Sequence, residues 1–110
     1  MPFYLFQARY STEALKALVD NPHDRTPAAA KLVEAVGGKL HHMFFAFGQD
    51  DVVALIEAPD DESMAAGALA VGASGAMSGG STTKLMTAED AVAAMKKAKE
   101  ASGSYVPATG

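Results

Sequence analysis

The stretch KLHHMFFAFGQDDVVALIEA, residues 39–58, constrains the fold more than any other part of the chain. Two strongly apolar runs flank Gly48–Asp50, a polar segment too short to hold anything but a reversal, so the spacing predicts a β-hairpin. On a regular strand, neighbouring side chains point to opposite faces. His41 then shares a face with Met43, Phe45 and Phe47, and His42 with Leu40, Phe44 and Ala46. One imidazole is therefore expected on the helix side and the other on the opposite side, which prevents the pair from binding one metal within a subunit.

The remaining elements are built around this hairpin. Residues 2–10, PFYLFQARY, read as a first strand with Phe3, Leu5, Gln7 and Arg9 on one face and Tyr4, Phe6, Ala8 and Tyr10 on the other. Ser11 caps a helix with an apolar stripe of Ala14, Leu15, Leu18 and Val19. After an interruption at NPHDR, Thr26 and Pro27 restart helix until Gly37 and Gly38 end it. Residues 60–73 form an acid-capped helix whose Gly67 and Gly72 suggest close packing on the sheet. MSGGSTTKLM supplies a fourth strand, and Thr87 with Asp90 caps a last helix.

The order is β-α-β-β-α-β with a C-terminal helix appended, the ferredoxin-like α+β arrangement: a four-stranded antiparallel sheet with helices on one face. Large apolar groups on both faces of the first two strands call for a second subunit to cover the open side. Residues 1–101 make one domain, and 102–110 are expected to form a flexible tail.

Composition narrows the function. The chain has 110 residues, 49% of them hydrophobic, no cysteine and a net charge of −4. Thiolate chemistry and disulfides are excluded, and an acidic chain lacks the basic face that nucleic acid requires. No apolar run approaches the roughly 20 residues that span a bilayer, and the N-terminus has no secretory pattern, so a cytoplasmic protein without a membrane partner is expected. GASGAMSGG lacks the lysine and the following helix of a phosphate-binding loop, and neither H-E-x-x-H nor G-x-S-x-G occurs.

RYSTEALKAL, GGKLHHMFFAFGQDDVVALIEAPDD, ALAVGASGA and TTKLMTAED together resemble the GYD domain family, whose members are assigned to the dimeric α/β-barrel type of ferredoxin-like fold. The specific part of the resemblance is GGKL followed by FAFG, the Asp-Val-Val run and EAPDD. Where the family has Gly-Tyr-Asp this chain has Gly48, Gln49 and Asp50, so no role of that tyrosine carries over to Gln49. The resemblance implies little about activity, since the family as a whole has none established. Its relatives by fold include cofactor-free monooxygenases, muconolactone isomerases, haem-binding chlorite-degrading enzymes and ligand-sensing domains.

The residues themselves offer His41, His42, Arg9 and Tyr10 as the polar lining of a small-molecule pocket between facing sheets of a homo-oligomer. Histidine is the side chain that titrates near neutral pH. Arg9 is expected to pair with Glu57 or with a bound anion. Asp50 and Asp51 read as turn residues, and Asp60, Asp61 and Glu62 as helix-capping groups. No cofactor and no metal site is expected, so any catalysis would be cofactor-free. The alternative is a non-catalytic structural or protein-interaction module whose sheet face serves assembly alone.

Overall fold

The computed structural model describes residues 1–109. The chain runs β1 (Phe3–Tyr10), α1 (Thr12–Asp20), α2 (Thr26–Ala35), β2 (Lys39–Phe45), β3 (Val52–Glu57), α3 (Asp61–Ala73), β4 (Met77–Leu85), α4 (Ala88–Ala101) and a 3₁₀ turn at Ser102–Ser104. The four strands form one antiparallel sheet in the order β2-β3-β1-β4. This is the expected ferredoxin-like α+β topology, with the first helical segment split in two at Asn21–Arg25. The expected tail begins with the 3₁₀ turn, and its last residue, Gly110, lies outside the described residues.

The helix starts follow the sequence. Ser11 accepts a hydrogen bond from the Ala14 amide at 3.1 Å, Asp60 from Ser63 at 2.8 Å and Thr87 from Asp90 at 3.0 Å. At α2 the carboxylate of Asp24, rather than Thr26 itself, takes the free Thr26 amide at 2.9 Å. Gly37, with φ +84°, ends α2. Its amide donates to Glu34, and that of Gly38 to Val33, which closes the helix and turns the chain into β2.

The core lies on one face of the sheet. Tyr4 and Ala8 of β1 and Val52, Ala54 and Ile56 of β3 are buried there, together with Val33 of α2 and Met64 of α3. These are cross-strand neighbours, since Tyr4 pairs with Ile56 and Ala8 with Val52. The helix layer over them is thin. Nothing lies within 4 Å of a β-carbon placed on Gly72, and at Gly67 the nearest atom is Val36 Cγ2 at 3.9 Å. The expectation that these glycines permit close helix–sheet packing is therefore wrong; close approach occurs instead at Gly38 and Gly80, where strand and loop backbones meet. α4 makes extended contact with the 3₁₀ turn alone. With this projecting helix the radius of gyration is 17.9 Å, against about 13 Å for a compact chain of this length.

The hairpin loop is wider than predicted. β2 stops at Phe45, and the chain returns only at Asp51, whose carbonyl accepts from the Ala46 amide at 2.6 Å. Phe47 is left fully exposed at the tip.

Two glycine substitutions test this packing. A β-carbon at Gly38 would clash with the Glu57 carbonyl oxygen, so Gly38→Ala is expected to destabilise the fold by about 1–3 kcal/mol. Gly67→Ala meets only ordinary contact and should stabilise it by about 0.5–1 kcal/mol through helix propensity. Urea denaturation midpoints moving in opposite directions would bear this out, and equal shifts would refute it.

Candidate functional site

The face away from α1–α3 carries Phe3, Leu5, Gln7 and Arg9 from β1, and Val53, Leu55 and Glu57 from β3, as the alternation requires. β2 does not follow the alternation. Leu40 pairs with Ile56 but His42 pairs with Leu55, which leaves His41 as an extra residue in a β-bulge. The bulge rotates the rest of the strand by one position. Leu40, Met43 and Phe45 are paired with buried-face residues, while His42 and Phe44 pair with Leu55 and Val53 of the open face.

His41 is on the open face as well. Its Nε2 lies 2.6 Å from Glu57 Oε1, and its ring centroid is 5.4 Å from that of Phe3. The expectation that the two histidines take opposite faces is therefore overturned, because it assumed a regular strand. His42 stacks on Phe44, with ring centroids 6.2 Å apart and an interplanar angle of 16°. The open face thus brings together two imidazoles and a carboxylate in an apolar setting.

Arg9 is on this face too, but at the other end. Its Nη1 donates to Asp50 Oδ1 at 3.1 Å, and the guanidinium lies over Gly79, where a β-carbon would clash with Nη2. The suggested Arg9–Glu57 pair does not form, because the antiparallel register sets Phe3, not Arg9, opposite Glu57. Tyr10 departs from the expected group. It is buried on the helix side, stacked on Phe45 at 6.3 Å, and burial raises its pKa. Its backbone amide donates to Asp51 Oδ2 at 3.0 Å, so Asp51 extends the β1–β3 ladder past its last strand pair in addition to shaping the loop.

A second cluster, absent from the sequence reading, lies under the sheet. The Tyr4 hydroxyl donates to Asp61 Oδ1 at 2.5 Å, and Lys84 Nζ approaches the same oxygen at 2.9 Å. The hydrogen bond donated to Asp61, followed by burial, pushes the Tyr4 pKa up to about 12. The Tyr4 and then Lys84 hydrogen bonds hold Asp61 below the usual carboxylate range. Asp61 reads in sequence as one more acid in a first helical turn; its partners are 57 and 23 positions away, and no local pattern marks them. Among the described residues no three His, Asp or Glu side chains are grouped to hold a metal ion, and no helix is long and apolar enough to cross a membrane.

The profile of the GYD domain matches residues 4–95. Among solved structures the fold is similar to the crystal structure of MtbAldR, with a TM-score of 0.54 and 15% sequence identity, over 78% of this chain and 52% of that one. The chain thus spans about half the length of that protein, and the likeness shows the fold alone. A comparison with curated proteins finds no match.

The Tyr4–Asp61 bond predicts a pH signature. Folding makes the hydroxyl a weaker acid, so its contribution to stability is intact below the unfolded tyrosine value of 10.0 and is lost as pH rises through about 12. For Asp61 the sign is opposite: the contribution is present above 3.8 and disappears as pH falls through the lowered value. Ultraviolet titration of the folded protein should show one tyrosine ionising near pH 12, and Asp61→Asn should return that step toward 10. Superimposable traces would rule the bond out as its cause.

Proposed function

The chain belongs to the GYD domain family, and on that footing we propose that it is a homo-oligomeric domain whose open sheet faces enclose a small-molecule pocket. The observation that carries this reading is the bulge at His41, which collects His41, His42 and Glu57 on a face that also carries Phe3, Leu5, Val53, Leu55 and Phe44, with Gln7 and Arg9 toward its other end and Lys39 paired with Glu57. A few convergent polar groups in an apolar surround are the ordinary composition of a ligand site. A single sheet face leaves such a site half-open, and a second copy is the simplest cover. Phe44 is 63% exposed in the isolated subunit, and α4 exposes Val92 and Met95 with little of its own subunit to pack on, so two apolar surfaces await partners.

Arg9 stands at the Asp50 end of the same face, where its guanidinium suits an anionic substituent. If the pocket is catalytic, His41 is the proton-transfer group. Glu57 orients its ring, and the chemistry is cofactor-free general base catalysis. Tyr10 has no part in this pocket, since it lies on the other side of the sheet.

Sedimentation of the wild type, Phe44→Asp and Phe45→Asp tests the assembly. The wild type should be oligomeric and Phe44→Asp monomeric, whereas Phe45→Asp, on the opposite side of β2, should leave the oligomer intact. A thermal-shift screen of small aromatic acids and other metabolites tests the pocket. A hit whose shift falls by at least half in His41→Ala or His42→Ala supports the reading. An oligomer that gives no such hit would assign the face to assembly alone, and a monomeric wild type would remove both roles.

A further inference from the structure

On the opposite side of the sheet from the histidines, α1, α2 and α3 stand off from β1 and β3 and leave a cavity of about 480 Å³. Its origin is in the sequence. Where α2 and α3 face the sheet they present Ala28, Ala29, Gly67 and Ala68, side chains too short to fill the space, and β3 offers Ala54 opposite them. Phe6 and Met43 reach toward it from the sheet and remain only partly buried. Most of the wall is apolar, with Leu18, Leu32 and Ile56 prominent. The volume is within the range of about 300–1,000 Å³ usual for small-molecule sites.

The lining includes the polar side chains of Tyr10, His23 and Arg25, together with Ser74, whose hydroxyl donates to the Val71 carbonyl. The Tyr10 ring is largely buried, but its hydroxyl, which makes no side-chain hydrogen bond among the described residues, is not a buried unpaired oxygen and keeps access to solvent. Arg25 is close enough for its charge to act on that hydroxyl. The guanidinium is held by His23, whose Nε2 lies 3.2 Å from Arg25 Nη1. Arginine only donates, so Nε2 must accept, and the ring proton then sits on Nδ1, which donates to the Asn21 carbonyl at 2.7 Å. Arg25 has no carboxylate partner among the described residues. Asp24, its neighbour, is occupied by the Thr26 amide, and Asp51, which also acts on Tyr10, by the Tyr10 amide.

We propose that this cavity binds a monocarboxylic acid with an apolar body, its carboxylate held between the Arg25 guanidinium and the Tyr10 hydroxyl and its apolar part directed toward Met43 and Ile56. A guanidinium fork matches a carboxylate in shape and charge, and a phenol hydroxyl adds one further donor. His23 is a positioning residue, keeping the fork at the mouth. The site is separate from the open face and does not rest on the pocket proposed there.

Decanoate titrated into the full chain by calorimetry, with decanol as its uncharged counterpart, tests the proposal. Saturable binding of decanoate, at least tenfold tighter than decanol, is the expected result. Arg25→Gln, an exposed change at the mouth, should weaken decanoate about tenfold and erase the preference over decanol. Ala29→Leu, which fills the cavity, should abolish binding of both while raising the melting temperature of the unliganded protein. Phe44→Asp and His42→Ala should leave decanoate affinity unchanged. The proposal is overturned if decanoate does not bind, if decanol binds equally well, if Arg25→Gln binds decanoate as the wild type does, or if the open-face variants are the ones that lose it.

Discussion

The antiparallel ladder between β1 and β3 fixes the place of every other element. Its register pairs Tyr4 with Ile56, Phe6 with Ala54 and Ala8 with Val52, so all the small and aromatic groups of the core share one face. The same pairs leave Leu5, Gln7, Val53 and Leu55 on the other. β2 and β4 then add at the two edges, and the crossovers carry the helices to the buried face. Asp51 extends the ladder by one step with its side chain, accepting from Tyr10 where a backbone carbonyl would otherwise be needed. That bond anchors the wide loop in which Gln49 stands.

The bulge at His41 is the departure from regularity that matters for chemistry. A straight β2 would turn one imidazole toward the helices. The extra residue gives up one backbone pairing and brings both rings to the open face, with Glu57 in hydrogen-bond contact with His41 and Phe44 stacked on His42. Bulges are found beside sites because they re-aim a side chain without changing the sheet. The Arg9–Asp50 pair at the far end is of a different kind. Its arginine is 43% exposed, and such a pair contributes only about 0–1 kcal/mol; it positions a cation more than it stabilises the fold.

The helix layer follows from a different physics. Caps at Ser11, Asp60 and Thr87, together with alanine-rich interiors, are enough to form helices, but few of their side chains are long enough to fill the space over the sheet. Val33 and Met64 are the buried helix residues among those described. Helix formation and core filling are thus separated here, and the result is a sheet with two usable faces: one polar-centred and open, the other covering a partly open, largely apolar cavity.

The amino-acid sequence by itself determined the strands, the caps, the ferredoxin-like order and the two faces of β1 and β3. Each of these is set by local periodicity or by a residue's bond to its own backbone a few positions away. It also placed Arg9 on the open face, since β1 is regular up to that residue. In β2 the spacing of three between Leu40 and Met43 was the only trace of the bulge, and it was not enough, because a bulge is defined by what the partner strand presents. Register likewise decided that Glu57 meets His41 and not Arg9, that Asp50 takes Arg9, and that Tyr4 and Lys84 converge on Asp61. Alternation set Tyr10 on the face of β1 opposite Arg9, but only the packing of the helices showed that this face is the covered one, and its hydroxyl acquired a neighbour in Arg25 only when α2 folded back onto the sheet. These are contacts between segments far apart in the chain, and their geometry exists only once the sheet has closed.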